Sequence, residues 1–90
     1  MTLSEEEKRE LEELRTLAQS LAYGYTECET DEDLINYLQT IDDESVKAIL
    51  KEPAHMVREL TKETYTQVLR KAMSLEARAL LENGKFSVEL

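Results

Sequence analysis

Apolar residues recur every three or four positions through most of the chain, which is the period of an amphipathic helix. The first run consists of Leu11, Leu14, Ala18, Leu21 and Tyr25. Ser4 and Glu7, which precede it, have the spacing of a capping box, in which each side chain satisfies a free backbone N–H of the other residue. Gly24 interrupts the pattern, so we predict a long first helix over about 4–23. Glu7 and Glu10 lie on the apolar side of this helix, so its first two turns should project beyond the core.

Two shorter apolar runs follow, and both begin at polar residues that suit the start of a helix. After a polar connection over about 24–30, Thr30 or Asp31 can cap a second helix. The acidic residues in its first turn suit the positive end of the helix dipole. The stretch DDES, residues 42–45, is the cap signal of a short third helix. The buried sides of these helices are Leu34, Ile35, Leu38 and Ile41 in the second, and Val46, Ile49 and Leu50 in the third.

The remaining sequence predicts one more short helix and then the longest one. Pro53 ends the third helix because proline has no N–H to donate, and it suits the first turn of a short fourth helix. Thr61 can cap the last helix, over about 62–83. Asn83–Gly84 is a stop signal because glycine adopts the left-handed cap conformation without strain. In Lys85–Leu90 apolar and polar residues alternate, which indicates an extended tail.

These elements predict an all-α fold with one domain over residues 1–90. We expect a compact bundle of four to five helices, in which two long helices (about 4–23 and 62–83) pack with the short helices between them, followed by the extended C-terminal tail. The composition agrees, because the chain has only two Gly and one Pro, and its dominant straight-chain residues lose little freedom in a helix. A chain of 90 residues buries only about 60–65% of its unfolded surface, so its stability depends on close helix packing.

The charge is strongly acidic and unevenly distributed. The net charge is −9, and residues 1–45 hold fourteen acidic residues against three basic ones, whereas residues 46–90 hold six against eight. The stretch TECETDEDLINYL, residues 26–38, contains five carboxylates between Glu27 and Asp33. An acidic field attracts basic partners and repels nucleic acid and anionic lipid, so we predict no direct binding to nucleic acid or membrane. The plainer alternative is that this charge only keeps the protein in solution.

Cysteine content and the N-terminal sequence favour a cytoplasmic protein. Cys28 is the only cysteine and has no partner for an internal disulfide, which favours a reducing compartment. Its acidic neighbours disfavour a reactive thiolate. The N-terminal stretch MTLSEEEK lacks the basic and apolar regions of a signal peptide, and no apolar run approaches membrane-spanning length.

Two patterns resemble metal sites, and each lacks residues that the site requires. A calcium loop beginning at Glu27 needs Gly at its sixth position and a bidentate Glu at its twelfth, where this chain has Glu32 and Leu38. The stretch EPAH, residues 52–55, has the Glu-x-x-His spacing of di-iron bundles, which use two such pairs, but the chain has a single His.

A third acidic pattern is an EExxE motif formed by Glu6, Glu7 and Glu10. It is similar to the opening of the magnesium site in helical nucleotide pyrophosphohydrolases of the MazG type, but the ExxD element that completes that site is absent. One His and one Cys also leave little material for a nucleophile–base pair. We therefore predict no catalytic residues, no metal site and no cofactor, and a protein that is not an enzyme.

Glu76 falls inside the apolar arc of the predicted last helix. A buried carboxylate must find a partner or shift its pKa upward, and His55 and Arg58 are the plausible partners in the sequence. In the alternative interpretation the apolar arc rotates near the end of the helix, which would leave Glu76 at a rim.

The expected function is that of a non-enzymatic module that binds a protein partner with a basic surface. The predicted partner-binding residues are Glu27, Glu29, Asp31, Glu32, Asp33, Asp42, Asp43 and Glu44. Such acidic clusters can occupy a site built for phosphates, so the expected partner is a nucleic-acid-handling protein. In size, charge and helicity the chain resembles phage or plasmid inhibitors that mimic DNA, and acidic immunity proteins. The alternative is a structural or assembly subunit that homodimerises through the apolar stripe of the first helix.

Overall fold

The computed structural model of the chain describes residues 3–82, and this part of the chain is all-α. The helices are α1 over Glu5–Glu27, α2 over Asp31–Leu38, α3 over Glu44–Leu50 and α4 over Ala54–Glu82. The long helices α1 and α4 pack against each other, α2 packs against both, and α3 packs against α4 and α2. The predicted bundle of two long helices with short helices between them is confirmed. The predicted stop at Asn83–Gly84 and the tail Lys85–Leu90 lie outside the described residues.

The helix starts predicted from the sequence are confirmed where the structure shows their hydrogen bonds. Ser4 Oγ accepts from the Glu7 N–H at 3.1 Å, and Glu7 Oε1 accepts from the Ser4 N–H at 3.0 Å, which completes the capping box of α1. Thr30 Oγ1 accepts from the Asp33 N–H at 3.0 Å and caps α2. Asp43 caps α3. Each cap satisfies backbone donors that a helix start leaves free.

The first helix continues past Gly24 to Glu27, so the predicted end near residue 23 is wrong. Gly24 is buried where α2 packs on α1. A Cβ atom at this position would lie 2.9 Å from Tyr37 Cδ2 and 3.1 Å from Leu34 Cδ1. Glycine is therefore required here for the close approach of two helices, and it does not mark a helix end.

The predicted fourth and last helices are one continuous helix, so Thr61 is not a cap. Thr61 is fully buried inside α4, and its hydroxyl donates to the Val57 carbonyl at 2.7 Å. That bond satisfies the hydroxyl within the helix, which allows a polar residue to sit in the core. Pro53 lies just before α4, where its missing N–H costs nothing. At about 1.5 Å per residue, the 29 residues of α4 extend about 44 Å, close to the 46 Å longest dimension of the molecule.

The core has two parts, one at each end of the α1–α4 pair. The main part consists of Ala18, Leu21, Leu34, Leu38, Val46, Ile49, Val57 and Val68. The smaller part consists of Leu3, Leu11 and Ala72. This second cluster corrects the prediction that the first two turns of α1 project beyond the core. Glu7, on the same side of α1, forms an ion pair with Arg78 of α4.

The apolar stripe of α1 is used inside the chain. Leu11, Ala18 and Leu21 are buried among residues of the other helices. A homodimer formed through these side chains would therefore have to open the core. None of the helices in residues 3–82 combines the length and the apolar character needed to cross a membrane.

Candidate protein-binding surface

The predicted partner-binding residues lie at the two ends of α2. Seven of these eight side chains are exposed, and Asp43 is partly buried. One group, here called the junction cluster, consists of Glu27, Glu29, Asp31, Glu32 and Asp33. The other group, Asp42–Glu44, follows α2 and begins α3. Residues 34–41, which are the rest of α2 and the connection after it, lie between the two groups, so the acidic residues form two sites, one at the start of α2 and one after its end.

The junction cluster is held at the start of α2 by the geometry of that helix. Asp31, Glu32 and Asp33 occupy the first turn, where the helix dipole favours negative charge. Within residues 3–82, Asp31 is the one member of the cluster that forms an ion pair. The other four carboxylates are exposed and carry no ion pair with this part of the chain, so they remain available to an outside cation.

Arg58 of α4 anchors the backbone that carries the junction cluster. Its guanidinium donates hydrogen bonds to the carbonyl oxygens of Tyr25 at 2.9 Å, Cys28 at 2.6 Å and Thr30 at 3.3 Å. Its Nε lies 3.6 Å from Asp31 Oδ1. The carbonyl groups at the end of a helix lack partners within the helix and carry partial negative charge. Arg58 therefore holds the connection between α1 and α2, and most of its donors face the backbone and not the acidic side chains.

The second acidic group borders an open groove between α1 and the connection from α2 to α3. We call this the acidic groove; its volume is about 450 Å³, and its charged lining is Glu12, Glu13, Asp42 and Asp43. Leu17 and Ile41 supply apolar lining. A lysine or arginine side chain combines an apolar stem with a charged end, and this lining offers contacts to both parts.

The charges of the second group are partly neutralised within the chain. Asp43 accepts hydrogen bonds from the backbone N–H groups two and three residues after it, at 2.8 and 3.3 Å. Lys47 Nζ lies 3.2 Å from Asp42 Oδ1 and 3.5 Å from Glu44 Oε1. The hydrogen bond that Lys47 donates to Asp42 and then the charge of Glu44 raise the pKa of Lys47 above its usual 10.5. The junction cluster is therefore the less compensated of the two acidic sites.

Residues that the sequence associates with metal sites have structural partners or lie apart. Within the described ranges, no group of three or more His, Cys, Asp or Glu side chains is placed to hold a metal ion. Glu7 of the EExxE motif completes the capping box and pairs with Arg78. Its carboxylate therefore serves the start of α1 and the packing of α1 on α4.

Glu76 lies at the rim of the core and pairs with Arg15 of α1. Arg15 Nε donates to Glu76 Oε1 at 3.0 Å, and both side chains are partly exposed. Glu76 is therefore at a rim, as in the second interpretation, and neither His55 nor Arg58, the partners expected for a buried Glu76, is its partner. His55 lies 21 residues earlier on the same helix, about 31 Å away at 1.5 Å per residue, and Arg58 is engaged at the end of α1.

Sequence reasoning missed Arg58 as an anchor and the part that α1 plays in the acidic groove. The carbonyl partners of Arg58 lie 28 to 33 residues earlier in the chain, so no local pattern signals them. Glu12 and Glu13 belong to a polar face of α1 that is visible in the sequence. Only the packing of residues 41–43 beside α1 turns that face into one wall of a groove.

Comparisons with known proteins identify no family. A scan against protein-family models, a search of curated proteins and a search of solved structures each found no match. The surface of the chain is therefore the basis for proposing a function.

Proposed function

We propose that this protein is a non-enzymatic binding module that docks its acidic surface on a basic surface of a protein partner. The observation that carries the proposal is the junction cluster, with four exposed carboxylates that form no ion pair within residues 3–82. Arg58 and the Thr30 cap fix the backbone under these carboxylates. A site that is already ordered loses less conformational entropy on binding, and a concentrated field speeds the encounter with a partner of opposite charge.

The proposed partner is a nucleic-acid-handling protein, and the module acts as an inhibitor that occupies its phosphate-binding surface. Carboxylates accept hydrogen bonds from the same arginine and lysine donors that bind phosphates. Inhibitors of the phage or plasmid anti-defence type would have this property.

The two acidic sites have different expected roles in this proposal. The junction cluster supplies most of the long-range attraction because its charge is the less compensated. The acidic groove, which combines carboxylates with Leu17 and Ile41, receives one basic side chain of the partner. Contacts at the rim of an interface mainly set the rate of association, whereas an enclosed charged side chain affects dissociation.

Charge reversal with a matched control tests the proposal. The acidic-surface variant carries Glu13→Lys, Glu27→Lys, Glu29→Lys and Glu32→Lys. The control variant carries Glu6→Lys, Glu10→Lys, Glu59→Lys and Glu63→Lys. All eight side chains are exposed, and none forms an ion pair within residues 3–82, so the two variants change the net charge equally. Both keep Asp31 and Asp43, which have structural partners.

The experiment is affinity capture from lysate at low and at high salt, followed by mass spectrometry. We expect the wild type and the control variant to capture the same basic protein at low salt and to release it at high salt, because salt screens exposed charges. The acidic-surface variant should lose that protein while its thermal unfolding remains cooperative. Capture of the same protein by the folded acidic-surface variant would contradict the proposal.

A further inference from the structure

A second groove lies between α1 and α4, on a different side of α1 from the acidic groove. It consists of three adjoining depressions of about 250, 320 and 170 Å³, which share Ala22 and Tyr65 at one junction and Arg15 and Glu76 at the other. We call it the neutral groove. Along α4 it runs from Lys62 to Leu80, about 27 Å at 1.5 Å per residue.

The neutral groove is far less acidic than the chain as a whole. Its charged lining among the described residues is Arg15, Lys62 and Glu76, two cations and one anion. The whole chain carries −9, so two copies repel each other over most orientations. The repulsion is weaker where two copies approach through this face than where they approach through the acidic sites, and no strongly basic or acidic partner is favoured there.

The neutral groove also combines protruding and recessed apolar residues on one face. Met73 is 59% exposed and Leu80 is 40% exposed, and both line the groove. Ala18, Ala22 and Ala72 line the same groove with small side chains. Helices pack when the ridges of one enter the grooves of the other, so a face that contains both features can pack against a copy of itself. A two-fold interface has this property, since the same patch is used on both subunits.

We propose that the neutral groove is the interface of a two-fold homodimer. The Met73 side chain of one copy enters the alanine-lined part of the groove of the other copy. Arg15 and Glu76 lie side by side near the middle of the groove, 3.0 Å apart. A two-fold axis there brings Arg15 of each copy to Glu76 of the other, so the charges of the interface are complementary.

Sedimentation of the full chain over a range of concentrations tests the dimer, with Met56 as a matched control. Met56 is 41% exposed near the start of α4 and does not line the neutral groove. The wild type should shift from monomer to dimer mass as the concentration rises. Met73→Glu should raise the dissociation constant at least about tenfold, which corresponds to about 1.4 kcal/mol. Met56→Glu adds the same charge and should leave the dimer intact.

Mixing two charge variants tests whether Arg15 and Glu76 interact between two copies or only within one chain. Arg15→Glu leaves two anions and one cation in the groove, and Glu76→Arg leaves three cations, so each variant alone should dimerise weakly. An equal mixture should form a heterodimer as readily as the wild type forms its homodimer. Restoration on mixing requires that the two positions interact between chains.

Three results would overturn the dimer. The first is a wild type that remains monomeric at every concentration. In that case, a lower melting temperature of Met73→Glu would show that the groove is covered within the chain. An unchanged melting temperature would show that the groove is open to a different protein. The second is equal weakening by Met56→Glu and Met73→Glu. The third is a mixture of charge variants that stays monomeric while the wild type dimerises.

The dimer and the proposed acidic interaction respond oppositely to salt. High salt screens the repulsion between two −9 chains without weakening apolar burial, so the dimer should hold or tighten. Capture of a basic partner should weaken under the same conditions. Met73→Glu should still capture that partner, so failure of one proposal leaves the other standing.

Discussion

The two sides of α1 that flank the core differ in charge: one is negative and the other is nearly neutral. Glu13, Thr16 and Ser20 line the acidic groove, whereas Arg15, Gln19 and Ala22 line the neutral groove. At 100° per residue these two sets lie about 130° apart around the helix. One helix therefore supplies a core stripe, a negative wall and a nearly neutral wall. The charge of the N-terminal half as a whole does not reveal this division, because helical phase decides which face each residue occupies.

Truncation of a core residue should have the largest effect, because both faces depend on the same core. Leu34 is fully buried, and Leu34→Ala should destabilise the fold by about 2–5 kcal/mol through lost burial and a cavity. Leu80→Ala, at a residue that is 40% exposed in the neutral groove, should cost far less. Urea denaturation of the two variants checks this difference. Equal losses would contradict the assignment of Leu80 to a surface face.

Removal of the Arg58 anchor should affect the acidic side more than the neutral side. Arg58→Met leaves the carbonyl groups of Tyr25 and Cys28 without their donor, and we expect a loss of about 2–3 kcal/mol. Arg58→Lys should recover only part of it, because an ammonium group cannot reproduce the planar fork of donors. Amide hydrogen exchange should rise at the connection between α1 and α2 and stay unchanged in the second half of α4. Full recovery of the stability by Arg58→Lys would show that a positive charge alone is sufficient to hold the connection between α1 and α2.

A methyl group at Gly24 tests how closely α2 approaches α1. In an open helix, Gly→Ala stabilises by about 0.5–1 kcal/mol. Here the added carbon would lie 2.9 Å from the Tyr37 ring, so we expect Gly24→Ala to destabilise the fold by about 1 kcal/mol or more. The melting temperature measured by thermal unfolding shows whether Gly24→Ala stabilises or destabilises the fold. Ser20→Ala, at a partly exposed position of the same helix, is the control and should be close to neutral.

The smallest expected effect concerns Lys47, whose charge is paired with the second acidic group. Because Asp42 and Glu44 raise the pKa of Lys47 in the folded state, the stabilisation is fully present below its usual 10.5 and is lost as the pH rises through the higher folded value. The wild type should therefore be slightly more stable than Lys47→Met at neutral pH, and the two should converge in alkaline solution. A difference in stability between the wild type and Lys47→Met that persists at high pH would show that Lys47 stabilises the fold through packing and not through its charge.

The sequence predicted the parts of the fold that local rules control. The caps at Ser4 and Thr30 depend on residues within three positions, and the structure confirms both. The predictions at Gly24 and Thr61 are wrong because tertiary packing, which local rules do not include, decides both positions. Each residue favours a helix end by itself, but tertiary packing places Gly24 against Tyr37 and buries Thr61 in the core.

The candidate site was predictable only in its composition. The acidic residues around α2 are visible in the sequence, and the structure places most of them on the surface. Their division into two sites depends on the length of α2 and on the partners that Arg58 and Lys47 provide. These contacts join residues from different elements, so only the folded chain shows which charges remain uncompensated.

The most direct test of the proposed function is competition with DNA for the captured partner. Duplex DNA is bound to that partner, and its displacement is followed by fluorescence anisotropy as the module is added. We predict that the wild type and the control variant displace the DNA, and that the acidic-surface variant does not. Equal displacement by the acidic-surface variant would contradict the claim that these carboxylates take the place of phosphates.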